Sequence, residues 1–378
     1  MGTEPRMTLR GKGFFIWKVQ YCENGSSAAI VNLARQANLS HVLIKVADGN
    51  YSYNVTATGA DLVPPISQAL RAAGIQVFGW HYLYGDDPIG EANKAIQRIQ
   101  QLHLDGYVLD VEGEYKDPGK DKAALTFMNR LRSAYPKLPV ALCSYRFPSY
   151  HPQIPWANFL QSCDLNMPQV YWQSNHNPAD QLLRTINDFQ TITPFRPIVP
   201  VGSAYMSGDW AATTDDVIHF MQTAQSLNLS AANFWEWTHT RQYLPALWDA
   251  IKDYSWPSTP LPADISLQYI AALNSHNPDQ VISLYSPNAV HVNAARTIQG
   301  VQAIRVWYQT FLNQLLPNGT FILTSFSGTG STRQLTWTAT SSAGAVLDGN
   351  DTFGLLNDKI TYHYTFFTVK AAKKQAAL

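Results

Sequence analysis

The sequence predicts an α/β chain: a (β/α)8 TIM-type barrel followed by a smaller α+β, cone-shaped domain. Three observations carry that expectation. From Lys12 to Trp256, short apolar runs alternate with longer segments of helical period, the pattern of a parallel β/α fold. The runs number about eight, the count that closes a barrel. Beyond a segment rich in Pro and Ser, the order changes to helices first and strands afterwards, an α+β layout. The chain's 378 residues fit both, since a barrel takes roughly 250 and a second domain ~100–120. The expected boundaries are 12–254 for the barrel, 255–263 for the linker and 264–370 for the second domain.

The eight strands are expected at Gly13–Val19, His41–Ala47, Gln76–Leu83, Tyr107–Val111, Val140–Tyr145, Asn166–Trp172, Pro197–Gly202 and Ala232–Trp237. Between them, Ala60–Ala73, Gly90–Leu102 and Asp215–Leu227 repeat apolar residues at three and four positions, as an amphipathic helix must. In the second domain the spacing predicts helices at Asp264–Ser275, Pro278–Tyr285 and Val301–Leu316. A short strand near Ala289–Val292 and long strands at Thr320–Phe326, Arg333–Thr340, Ala345–Leu355 and Lys359–Val369 complete it.

Lys+Arg and Asp+Glu are equal at 27 each, and charged residues make up 14% of the chain, against roughly 25% in an ordinary soluble protein. No polyanionic partner is implied, so nucleic acid is not expected, nor is a membrane. The 11 Trp and 19 Tyr suit flat, uncharged ligands such as sugar rings, although many must be core. Cys22, Cys143 and Cys163 have no metal-ligand spacing and form no even disulfide framework, so they read as small buried hydrophobes and no metal or cofactor is expected. The N-terminus carries no apolar run of signal-peptide length, which predicts a soluble protein, secreted if a leader was removed and otherwise cytoplasmic.

Active sites of this architecture lie at the C-terminal ends of the strands. The fourth strand ends Tyr107-Val-Leu-Asp110-Val-Glu112-Gly-Glu114, and alternation puts Val108, Asp110 and Glu112 on one face. Their Cα atoms would lie roughly 6.5–7 Å apart, so both carboxyl groups can converge on one glycosidic bond. A neighbouring anion raises a carboxyl pKa and keeps an acid protonated near neutral pH. Glu112, toward the mouth, is then the general acid, and Asp110, deeper, the ionised stabiliser. The rival reading has both acids capping the strand end and binding backbone or a metal structurally. Other strand ends contribute Asp48, His81, Tyr82, Tyr145, Gln169, Tyr171, Trp172, Trp235, Glu236 and Trp237 as candidate substrate-binding residues.

The runs Val42-Leu-Ile-Lys-Val-Ala-Asp-Gly49, Gly74-Ile-Gln-Val-Phe-Gly-Trp80-His-Tyr82 and Leu109-Asp110-Val-Glu112-Gly113 resemble strands two to four of glycoside hydrolase family 25, the lysozyme-type barrels. The resemblance covers roughly Phe14 to Glu114. It implies peptidoglycan cleavage, with the Glu of the Asp-x-Glu pair as general acid. Asp105-Gly-Tyr-Val108-Leu-Asp110-Val-Glu112 is also similar to the acidic signature of the family 18 chitinases, with Val108 in place of the middle acid. Both families work through the substrate's own acetamido group, so both imply N-acetylated sugars. Two departures stand out: Gly13 is followed by Phe14-Phe15-Ile16-Trp17, where family 25 presents a first-strand Asp, and Asp48 stands where a Glu is common.

The second domain, from Leu267-Gln-Tyr-Ile through Gly300-Val-Gln-Ala-Ile-Arg305 to Asp351-Thr-Phe-Gly and Lys359-Ile-Thr-Tyr-His-Tyr364, resembles the nuclear-transport-factor-2-like cone fold. That resemblance implies a binding or dimerising appendage. Tyr285, His291, Arg305, Asp351 and His363 are candidates to line a pocket there, with satisfied structural roles as the alternative. The first expectation is a glycosidase acting on an N-acetylhexosamine-containing polysaccharide such as peptidoglycan or chitin. The second is a catalytically inactive barrel that binds glycan or protein. The C-terminal domain is expected to form a homodimer.

Overall fold

The computed structural model describes residues 9–257, 263–328 and 330–371. The chain divides into two units, Met1–Leu261 and Pro262–Leu378, and the division falls within the expected linker, of which residues 258–262 lie outside the described residues.

In the first unit eight parallel strands close on themselves in sequential order: β1 (Gly11–Ile16), β2 (Leu39–Asp48), β3 (Gln76–Leu83), β4 (Gly106–Val111), β5 (Val140–Tyr145), β6 (Leu165–Val170), β7 (Val201–Ser203) and β8 (Ala231–Trp235), with β1 pairing both β8 and β2. These strands read as near-continuous apolar runs because both faces are covered. One face fills the barrel with Phe15, Leu43, Phe78, Trp80, Val108, Ala141, Leu165, Met167 and Val201. The other packs Ile16, Ile44, Tyr107, Leu109 and Phe234 against surrounding helices that include α1 (Ser27–Gln36), α2 (Val63–Ala72), α3 (Pro88–Leu102) and α4 (Lys120–Ala134). At the barrel's lower end His41 Nε2 meets Asn233 Oδ1 at 2.6 Å. A Cβ on Gly13 would lie 2.3 Å from that His41 nitrogen, so only glycine leaves room for the pair.

Three barrel strands end two or more residues short of the sequence expectation. β1 stops at Ile16 rather than Val19, and β6 stops at Val170 rather than Trp172. α5 (Trp156–Leu160), α6 (Pro178–Phe189) and α7 (Thr214–Ser226) occupy the later connections. β8 stops at Trp235 because the Glu236 side chain accepts hydrogen bonds from Thr238 N (3.2 Å) and His239 N (2.7 Å), capping α8 (Trp237–Tyr243), which leads into α9 (Pro245–Asp253). In β2 the pairing register slips between Lys45 and Ala47, a β-bulge that turns Val46 and Ala47 both toward the helices. Lys45 and Asp48, three residues apart, consequently share the inner face.

In the second unit α10 (Ile265–Asn274), α11 (Pro278–Ile282) and α12 (Val301–Thr310) precede or interrupt a curved sheet. A π-helical turn, Phe311–Leu315, ends the helix expected to run unbroken to Leu316. The strands are β9 (Tyr285–Val292), β10 (Thr297–Gln299), β11 (Thr320–Ser327), β12 (Thr332–Ser341), β13 (Gly344–Leu356), β14 (Lys359–Phe366) and β15 (Val369–Ala371), in the order β10-β9-β14-β13-β12-β11, with β15 on β13. Tyr285 begins a strand rather than ending a helix. Among the described residues no helix is long and apolar enough to cross a membrane.

Candidate functional site

At the C-terminal ends of the barrel strands the inner faces open into a cavity of about 500 Å³. Its floor comes from one level of the sheet, where register aligns Asp48 with Tyr82, Tyr82 with Asp110, and Asp110 with Cys143. Gln169 on β6 closes the ring: its Nε2 donates to Asp110 Oδ1 at 3.2 Å and to Glu112 Oε1 at 2.8 Å. One amide thus holds both carboxyl groups of the Asp-x-Glu pair. The walls are aromatic, with Trp235 against Phe15, Trp17 and Trp80 at centroid distances of 5.7, 6.2 and 5.5 Å. Tyr171 and Tyr82 complete them.

Burial and charge set the electrostatics. Asp110 is 8% exposed, and burial pushes its carboxyl well above the usual range. The neighbouring Glu112 adds to the rise, while Lys45 opposes it. Burial thus works against the expectation that Asp110 rests ionised, since it favours the protonated form of the deeper acid. Burial, then Asp110 and Glu112, also push up the Cys143 thiol, which stays neutral; all three cysteines are buried and free. The Tyr82 hydroxyl is held up by burial and by its 2.7 Å hydrogen bond to Glu114 Oε2, and Tyr84, donating to Asp48 Oδ1 at 2.8 Å, is pushed up to about 12.

Of the residues picked from the sequence, Asp48, Tyr82, Asp110, Glu112, Gln169, Tyr171 and Trp235 line the cavity. Five do not, each for an identifiable reason. His81 follows the inward Trp80 and so points outward; it is fully buried, with Nε2 2.8 Å from Gly49 O and Nδ1 3.0 Å from Tyr107 Oη. Trp172, next to the inward Tyr171, packs against Phe220 at 5.2 Å. Trp237 belongs to α8 and packs on Trp248 and Phe14. Glu236, the carboxylate available to replace the missing first-strand Asp, is occupied as a helix cap. Tyr145 sits beside the cavity, its ring 4.0 Å from that of His151. The β1 end contributes Phe15 and Trp17 and no acid.

Sequence reasoning missed Lys45, Trp80 and Cys143 as lining groups, together with Phe15 and Trp17 at the β1 end. Trp80 was accessible by alternation from Tyr82, and Lys45 stands out as a lone cation in the apolar run Val42–Ala47. In the second unit Tyr269, Tyr285, Tyr308, His291, Asp351 and His363 converge in a buried network, including Tyr285 Oη to His363 Nδ1 at 2.5 Å and His291 Nδ1 to His363 Nδ1 at 3.1 Å. Arg305 is outside it, paired with Asp279 on the surface at 2.6 Å. Among the described residues no group of three His, Cys, Asp or Glu side chains could hold a metal ion.

Comparison with known proteins bears on the second unit. The SnoaL-like domain model matches residues 267–363. Three solved structures are similar in part. A SnoaL-like family protein from Agrobacterium tumefaciens is 23% identical, covering 28% of this chain and 94% of its own, with a TM-score of 0.24. An NTF2-like protein of unknown function from Cytophaga hutchinsonii is 13% identical over 28% and 87%, TM-score 0.24. An epoxide hydrolase from M. tuberculosis, described as LEH-like, is 15% identical over 28% and 80%, TM-score 0.24. No curated protein matches the chain. The molecule is thus a closed eight-strand parallel barrel joined to a C-terminal SnoaL-like, NTF2-like domain.

Proposed function

We propose that the barrel is a glycoside hydrolase acting on an N-acetylhexosamine-containing polysaccharide such as peptidoglycan or chitin. The observation that carries the reading is the Asp110/Glu112 pair tied to a single Gln169 amide at the bottom of an aromatic-walled cavity. Two carboxyl groups in one low-dielectric site cannot readily both ionise, so the pair holds a proton at neutral pH. Glu112, nearer the mouth, is the member able to pass that proton to a glycosidic oxygen. As the bond breaks, the substrate's acetamido oxygen closes on C1, and water then opens that intermediate and returns the proton to the pair. The Trp17 and Trp235 rings provide stacking faces for sugars. Glu112→Gln should lower turnover on chitin oligomers or peptidoglycan by about 10²-fold or more. Wild-type activity that survives the substitution would rule the role out.

A second reading is favoured by the β1 end, where Phe15 and Trp17 stand in place of an acid: a barrel that binds glycan without cleaving it. Sugar binding in wild type with no hydrolysis selects it. In either case the second unit acts as a homodimerising module. Its support is the outward row Tyr362, Tyr364 and Phe366 on β14, each more than 40% exposed and uncharged, beside Val290 and Val292 of the neighbouring β9. Sedimentation of the full chain should give a dimer that Tyr364→Lys with Phe366→Lys converts to monomer; a monomeric wild type sinks the idea.

A further inference from the structure

Lys45 is the only cation lining the cavity among the described residues, and it is 5% exposed. Register puts its Cα beside Trp80, one level beneath Asp48, Tyr82 and Asp110, so its stem rises along the inner wall to bring the ammonium up to the acids. There Nζ lies 2.5 Å from Asp48 Oδ2 and 4.3, 4.8 and 5.7 Å from the ring centroids of Tyr53, Trp80 and Tyr82. The backbone beneath it is pinned as well: Asn54 Nδ2 donates to Lys45 O at 2.8 Å and to Trp17 O at 3.1 Å. A buried ammonium held by one carboxylate and three rings has no freedom to leave, and removing one partner of such a pair is costly.

The groups that face it are few. On its own strand there is Asp48, and on the following loop Tyr53. β3 and its loop add Tyr82 and Tyr84, β4 adds Asp110 and Glu112, and the turn beyond adds Glu114. The β1 side contributes only Phe15 and Trp17. Lys18 and Lys116 lie against the rings of Trp17 and Tyr145 instead. Four carboxyl groups therefore line the cavity that holds this one ammonium, and Asp48 is its direct partner. We propose that Lys45 is the positioning residue of the Asp110/Glu112 pair, its fixed charge setting the pair to hold one proton rather than two. Without it, Asp48, Glu112 and Glu114 would act on Asp110 unopposed, and the pair would keep its second proton to higher pH. The proposal builds on the acid–base reading of the pair, but it concerns proton occupancy, which can be observed with no substrate present.

The test follows the side-chain carboxyl carbons of the full-length protein by 13C NMR against pH, alongside the pH profile of hydrolysis of chitin oligomers. Lys45→Met should move the titration of the pair up by about one pH unit, and the acidic limb of the profile with it. Lys45→Arg should restore both. Asp48→Asn removes a negative neighbour and frees the ammonium, so it should move the titration down. Opposite shifts in the two variants support the proposal, since a general loosening of the cavity would move both the same way. An unmoved titration in Lys45→Met, or shifts of equal sign, overturns it; should Lys45→Met not fold, an upward or null shift in Asp48→Asn does so alone. Expected NMR shifts in a wild type that cleaves nothing would count against hydrolysis and leave the role of Lys45 standing.

Discussion

Asp110→Asn is expected to make the barrel more stable at neutral pH while lowering turnover by about 10²-fold or more. Asp110 is a carboxyl whose ionisation is penalised first by burial and then by Glu112. A group whose pKa is raised on folding contributes stability below its unfolded pKa, and that contribution is lost as pH rises through the folded value. Asparagine has the same shape, keeps an acceptor oxygen for the Gln169 amide and carries no proton to lose. The gain should be about 1–2 kcal/mol and should widen with pH. Calorimetry of wild type and variant between pH 5 and pH 8 measures it. A variant that loses ground to wild type as pH rises would show that the carboxylate is satisfied in its site. The prediction joins two properties of one atom group: the desolvation that makes Asp110 useful as a proton store is the desolvation that makes it a stability defect.

The barrel was legible because parallel strands covered on both faces must be apolar, and eight such runs leave little choice of architecture. The Asp110/Glu112 pair was legible because alternation along β4 is regular up to its end. Where alternation is interrupted, reading failed. His81 and Trp172 are each one residue out of phase with an inward neighbour, and a polar or aromatic side chain does not announce its face. Trp237 and Glu236 were assigned to a strand that a side-chain cap had already ended. Lys45 and Asp48 meet only because of the bulge between them, and a bulge is decided by how β2 packs on β3 rather than by the composition of β2. In the second unit the polar residues Tyr285, His291, Asp351 and His363 were legible as a group, since alternation along β9, β13 and β14 turns each of them inward.

That buried group leads to the second large effect, acid lability of the SnoaL-like unit. His291 is fully buried; burial, then His363, pushes its pKa down to about 2. Its Nδ1 lies 3.1 Å from His363 Nδ1, a contact that requires one ring to donate and the other to accept, so protonating both would set two cations against each other. Unfolded, the same ring takes a proton near pH 6.5. The stability that neutral His291 provides is therefore complete above pH 6.5 and is lost as pH falls from there toward 2, at about 1.4 kcal/mol per pH unit. At pH 4.5 the loss is about 3 kcal/mol, a large share of a domain's usual margin. The barrel also buries neutral histidines, His41 and His81, both pushed down to about 4 by burial. There, however, Asp110, Glu91 and Glu236 are raised by burial and shift stability in the opposite direction on acidification. The two units should part company in acid. Hydrogen exchange followed by mass spectrometry from pH 7.5 to pH 4.5, corrected for intrinsic rates, should show protection falling in peptides of β9, β13 and β14 before it falls in β2 to β5. His291→Gln should flatten the pH dependence of the second unit alone. Equal loss of protection in both units, or an unchanged slope in the variant, would locate the acid sensitivity elsewhere.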